Sequence, residues 1–105
     1  MVRAYAIVRE DISKDATDAH VTRLRELAAA WHWNLRGVLV ASDDSHYGLL
    51  LATFRDSQIA KLLVPSVVHV TGWLELIRCH VDVETLEPRM QWPRLPAPQA
   101  EAAAG

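Results

Sequence analysis

Cysteine is nearly absent: Cys79 stands alone, so no disulfide can form within the chain. A single thiol fits a reducing compartment. Long apolar runs are missing too. No stretch approaches the ~20 apolar residues of a membrane-spanning helix. Polar Arg9-Glu10-Asp11 interrupts the first apolar segment before it could act as a signal peptide. The sequence therefore predicts a cytoplasmic protein with no membrane association. An excess of positive charge is also lacking. Eleven Lys and Arg face thirteen Asp and Glu, for a formal net charge of −2. Nonspecific nucleic-acid binding needs a concentrated surplus of basic residues, so charge disfavours that partner while leaving room for a small basic patch. Gly37, Gly48 and Gly72 are isolated. The chain thus has neither a Gly-x-Gly-x-x-Gly fingerprint nor a Walker loop, which argues against dinucleotide or nucleoside-triphosphate binding by those devices. His20, His32, His46, His69 and His80 show no i, i+4 or C-x-x-C spacing with one another or with Cys79. No metal and no cofactor is expected.

What remains is a chain of 105 residues, half of them hydrophobic and 23% charged. That is the make-up of one soluble globular domain, long enough to bury roughly 60–70% of its unfolded surface without staples.

The pattern along the chain alternates strand and helix. RAYAIVR (3–9) is apolar on both faces, as expected for a strand covered on both sides by helices. Residues 14–31 change to helical period, with Val21, Leu24, Ala28 and Trp31 on one face and Asp15 and Asp18 near the positive end of the dipole. The helix has no terminal glycine, and His32 is the residue expected to turn left-handed there. LRGVLVA (35–41) is the second strand, and SDDSHY (42–47) a polar loop. Leu49, Leu50, Thr53 and Phe54 recur at helical spacing, so 48–56 is read as a helix beginning near Tyr47. AKLLVPS (60–66) is a third strand, stopped by Pro65. VVHVTGWLELIRC holds one short helix or two turns around Gly72. HVDVETL (80–86) alternates, which predicts a half-exposed fourth strand at the sheet edge.

Four of the five prolines lie from Pro88 onward. The expected organisation is a single α/β domain over 1–87 and a Pro/Ala-rich tail over 88–105, extended or disordered. The β-α-β-α-β-α-β order implies a small three-layer α/β sandwich around a four-stranded, mainly parallel sheet. Ligands of such sheets bind beyond the carboxyl ends of the strands.

With AYAIVRED as first strand, AAAWHWNLRGVLVASDD as helix end and second strand, and LLVPSVVHVTG as third strand, residues 3–87 resemble the catalytic domain of the serine recombinases, the resolvase and invertase family. Tyr5, Trp33 and Gly37 are the landmarks. The resemblance implies a resolvase-like sheet, with a flavodoxin-like one as the alternative. It does not carry over the chemistry. Aligned on Tyr5, the family's arginine falls on Ile7 and its nucleophilic serine on Arg9. In the third motif its aspartate falls on Val68, its first arginine on His69 and the next on Gly72 or a neighbour. The long helix that leads to the family's DNA-binding domain also has no counterpart before the proline-rich end. The resemblance therefore implies a degenerate active site with no catalytic residue.

The strand ends still offer polar groups. Arg9, Asp11, Asp43, Ser66 and His69 are the candidate ligand-binding residues, with Arg9 and His69 suited to an anion because the guanidinium presents a bidentate fork. Ser13 is read as a helix N-cap, and Ser66 with His69 lacks a third residue to orient the imidazole. Trp31 and Trp33 are expected in the core. Trp73 and Trp92 are candidate partner-binding residues, because aromatic side chains dominate binding hot spots, and the proline-rich tail around Trp92 is a candidate protein-docking segment. The sequence thus favours a noncatalytic resolvase-like interaction or regulatory domain, self-associating as a homodimer or homo-oligomer. The alternatives are a small ligand-binding or enzymatic domain with an anion site at the strand ends, and an accessory DNA-associated protein.

Overall fold

A computed structural model describes residues 1–96 of the chain. The expected end of the tail, 97–105, lies outside the described residues, and so does any partner docking there.

Strand β1 (Arg3–Arg9) runs into a short helix α1 (Glu10–Ser13), a single 3-10 turn (Lys14–Ala16) and the long helix α2 (Thr17–Ala30). Then follow β2 (Asn34–Ala41), α3 (Tyr47–Phe54), β3 (Lys61–Val64), a 3-10 turn (Val67–Val70), α4 (Leu74–Arg78), β4 (Asp82–Leu86) and β5 (Arg89–Trp92). The sheet order is β2-β1-β3-β4-β5. The first three pairings are parallel, and β5 returns antiparallel to β4. The strand order switches between β1 and β3, which are neighbours in the sheet but lie on opposite sides of β2 in sequence.

Both faces of β1 are buried, as its composition requires. Ala4, Ala6 and Val8 pack with Leu24 and Ala28 of α2 and with Leu63. Ile7 points the other way, into a larger cluster with Tyr47, Leu51 and Phe54 of α3, Leu62, Val64, Val70, Ile77 and Val83. This is the expected three-layer sandwich, with α2 on one face and α3 and α4 on the other. Tyr47, Leu51 and Phe54 follow an i, i+4, i+7 spacing, so the helix expected from Tyr47 forms. His32 adopts the left-handed conformation (φ 59°) that ends α2 without a glycine. Gly72, at φ 82°, separates the 3-10 turn from α4.

Four expectations need correction. The sheet has five strands, not four, because residues 89–92 of the expected tail pair with β4. The ordered chain continues past the boundary drawn at residue 87: Leu95 N–H donates to the Arg78 carbonyl at 2.7 Å. In consequence β4 is interior rather than at the edge, and Val83, Glu84 and Thr85 are all buried. Trp31 is not core. Helix α2 ends at Ala30, and the turn at His32 leaves the Trp31 indole 60% exposed, stacked on half-buried Trp33 with ring centroids 5.9 Å apart.

In β2 the register slips between the Ala4–Leu35 and Ala6–Val38 pairs, so one extra residue bulges at Arg36–Gly37. Gly37 is required there. A Cβ on it would lie 2.7 Å from Cε2 of Tyr5. Among the described residues, no helix is long and apolar enough to cross a membrane.

Candidate functional site at the carboxyl ends of the strands

The parallel strands deliver Arg9, Ala41, Val64 and Leu86 to one end of the sheet. Two of the predicted site residues meet there directly. The Arg9 backbone N–H donates to Nδ1 of His69 at 2.9 Å. A ring nitrogen that accepts is unprotonated, so the neutral imidazole carries its proton on Nε2. His69 is 2% exposed. Burial, then the nearby His20 and Arg9, pushes its pKa down to about 4, with Asp11 opposing. The ring is therefore neutral near pH 7. Its carbonyl accepts the Tyr47 O–H at 2.6 Å. Burial raises that phenol to about 12, so it stays a donor.

The Arg9 side chain is held by Asp11. Its Nε donates to Oδ1 of Asp11 at 3.0 Å, and its Nη2 engages Oδ2. The fork is closed on its own neighbour. That bidentate contact raises the arginine pKa and lowers the aspartate's.

The other two candidates do not join. Asp43 is exposed and accepts the Ser45 backbone N–H at 2.9 Å; the Ser45 side chain first, and this turn bond second, lower its pKa. The adjacent Asp44 reaches inward instead, accepting the Trp73 indole N–H at 2.7 Å. Ser66 meets His69 only through its backbone carbonyl, which accepts the His69 N–H at 3.2 Å. Trp73 and Trp92 are both half-buried against the α3-side cluster. Trp73 packs edge-on to Tyr47, and the Trp92 ring has the Arg78 guanidinium 6.0 Å from its centroid. The Trp92 indole nitrogen is buried and has no hydrogen-bond partner among the described residues.

A second cluster beside this one joins residues that the sequence did not bring together. Ser13 is not a cap. It is buried, and its Oγ lies 2.7 Å from Nδ1 of His20. Nε2 of His20 lies 3.2 Å from Oε1 of Glu87, whose other oxygen accepts from Arg23 at 3.1 Å. The Arg23 bond, more than His20, lowers the pKa of Glu87. The His20 and His69 rings meet edge to face, centroids 6.2 Å apart. A hydroxyl, an imidazole and a carboxylate thus stand in sequence, the order in which a base is oriented and a hydroxyl polarised. The one signal in the chain is the separation of Ser13 and His20 by seven residues, two helical turns, partly hidden by the 3-10 break.

Among the described residues, no group of three or more His, Cys, Asp or Glu is placed to hold a metal ion.

The fold is shared with a solved structure. It is that of a resolvase family site-specific recombinase from Streptococcus pneumoniae. The two chains superpose with a TM-score of 0.69, over 87% of this chain and 76% of the other, at 10% sequence identity. The fold is resolvase-like. No protein-family model and no curated protein matches the sequence itself. At such low identity the likeness carries the architecture and not the activity.

Proposed function

We propose that the chain is a noncatalytic, resolvase-like interaction or regulatory domain that self-associates. The observation that carries this reading is the closure of Arg9. Where the family resemblance puts a nucleophilic serine stands an arginine whose side chain is held by Asp11 and whose backbone is held by His69. Neither group is free to attack or cradle a phosphate.

Self-association is supported by apolar surface beside the open edge of the sheet. Leu49 of α3 is 74% exposed and Val40 of the edge strand β2 is 44% exposed. Leu39, Leu49 and Leu50 line a shallow hollow there with His46 and Thr53. A second copy related by a twofold axis would bring the same patch against itself, as isologous dimers do. Size-exclusion chromatography with light scattering over a concentration series should find a dimer that Leu49→Glu converts to monomer. A wild-type monomer at high concentration overturns the reading.

One observation favours a second reading, a small enzyme. The Ser13–His20–Glu87 sequence is a nucleophile, base and orienting group in the right order. A fluorophosphonate probe tests it: Ser13 Oγ would bond to phosphorus as fluoride leaves and His20 takes the hydroxyl proton. Labelling that vanishes in Ser13→Ala and slows in His20→Ala supports chemistry at Ser13. An unlabelled wild type removes it.

A further inference from the structure

The α2 side of the sheet carries a polar and aromatic hollow that the reading above does not use. Helix α2 covers β1 and β2 and reaches Leu63 of β3, and the ladder continues past it into β4 and β5. On that side Trp31, Trp33, Lys61, Glu84, Arg89 and Gln91 line, with Met90, a depression of about 480 Å³. Small-molecule sites typically span about 300–1,000 Å³.

Its wall is built from charge. Glu84 is 3% exposed, yet it takes two cations: Lys61 Nζ at 2.7 Å on one oxygen and Arg89 Nη1 on the other. Lys61 is itself 7% exposed, and its ammonium sits 4.5 Å from the centre of the Trp33 ring. Asp82 stands 3.9 Å from Lys61 and lines the neighbouring cavity instead. Buried ion clusters of this kind are weak contributors to stability, and well-packed apolar residues often do as well or better. Core packing therefore does not account for it. Glu84 and Asp82 together balance Lys61 and Arg89, so what the hollow offers an anion is the unused part of the Arg89 fork. Arg89 is half-exposed, and among the described residues it bonds through Nη1 alone. Its Nη2 and Nε can take an anion.

The aromatic half supplies the other requirement. Trp33 braces Trp31 from one side, at 15° between planes, while Trp31 stays 60% exposed. A braced, solvent-facing indole is a stacking platform for a flat ring. The Gln91 amide offers both a donor and an acceptor to that ring's edge.

The geometry points to a binding site for an anionic, base-bearing ligand of the nucleoside monophosphate class, its ring stacked on Trp31 and its anion held by Arg89. Among the described residues, neither a Gly-rich loop nor a helix N-terminus takes part.

Isothermal titration calorimetry with AMP, adenosine, inorganic phosphate and a single-stranded oligothymidylate tests this on the full chain. AMP should bind more tightly than adenosine or phosphate alone. Trp31→Ala, an exposed change that spares the fold, should weaken AMP by about 5- to 150-fold, the span of base–aromatic stacking. Arg89→Gln should weaken AMP and leave adenosine unchanged. An oligothymidylate that outcompetes AMP with the same dependence on Trp31 supports the site and identifies a nucleic-acid strand as the source of the base. The inference is overturned if AMP does not bind at millimolar concentration, if phosphate alone binds as well, or if both variants bind AMP like the wild type.

Discussion

The backbone N–H of Arg9 and the Nδ1 of His69 meet at 2.9 Å, joining the last residue of β1 to the 3-10 turn after β3. The bond needs an unprotonated Nδ1, so it makes the folded state sensitive to acid. The unfolded ring takes up its proton near pH 6.5, whereas the folded ring resists to about pH 4. Between those values the unfolded chain binds more protons, and stability falls as pH falls. The loss amounts to roughly 3 kcal/mol, complete near pH 4. Urea midpoints measured from pH 7 to pH 4 should decline across that window. His69→Gln, whose amide oxygen can still accept from Arg9, should flatten the decline.

Tyr47→Phe removes the hydroxyl that satisfies the His69 carbonyl at 2.6 Å. Leaving a buried acceptor unpaired costs about 1–3 kcal/mol. The variant should show a lower urea midpoint with an unchanged m-value. Because the same variant touches the element carrying His69, its effect should be non-additive with His69→Gln in a double-mutant cycle.

Gly37→Ala should destabilise by about 1–3 kcal/mol, the usual cost of overpacking. The added methyl would meet the Tyr5 ring at 2.7 Å. Combining it with Tyr5→Leu, which clears the ring, should recover part of the loss in thermal unfolding. An additive pair would place the strain elsewhere in β2.

Glu84→Gln should cost about 3–5 kcal/mol, because it leaves the buried Lys61 ammonium without its principal carboxylate. Replacing Lys61 and Glu84 together by Met should restore most of that stability. Denaturant titration of the single and double variants gives both numbers.

Much of the architecture was legible because the apolar pattern and the fold agree. Two apolar faces on RAYAIVR required helices on both sides. The spacing of Tyr47, Leu51 and Phe54 gave α3. The fifth strand was hidden because four residues between Pro88 and Pro93 carry too little pattern, and missing it made β4 look like an edge. Trp31 fits the α2 stripe by spacing and leaves it only because the helix stops one residue earlier. At the site, the topology rule for strand ends brought Arg9 near His69, and the local ion pair of Arg9 with Asp11 follows from their two-residue separation. Asp43 was misplaced because an aspartate in a turn meets its own backbone first. The Glu87 partnership with His20 and Arg23 spans more than sixty residues, and nothing local announces it.

The position of β1 in the sheet sets an order of events for the growing chain. Of the strands in this sheet β1 is made before the others, and it is interior, flanked by β2 on one side and β3 on the other. After β2 arrives, the backbone edge of Ala4–Ala6 stays unpaired until Lys61–Leu63 has followed. Throughout that interval a nascent chain presents a strand that is apolar on both faces and open on one edge, the form most prone to pair with the wrong neighbour. The protein is thus most exposed to misassembly during its own synthesis, and stalled chains ending before β3 should be the ones that chaperones retain.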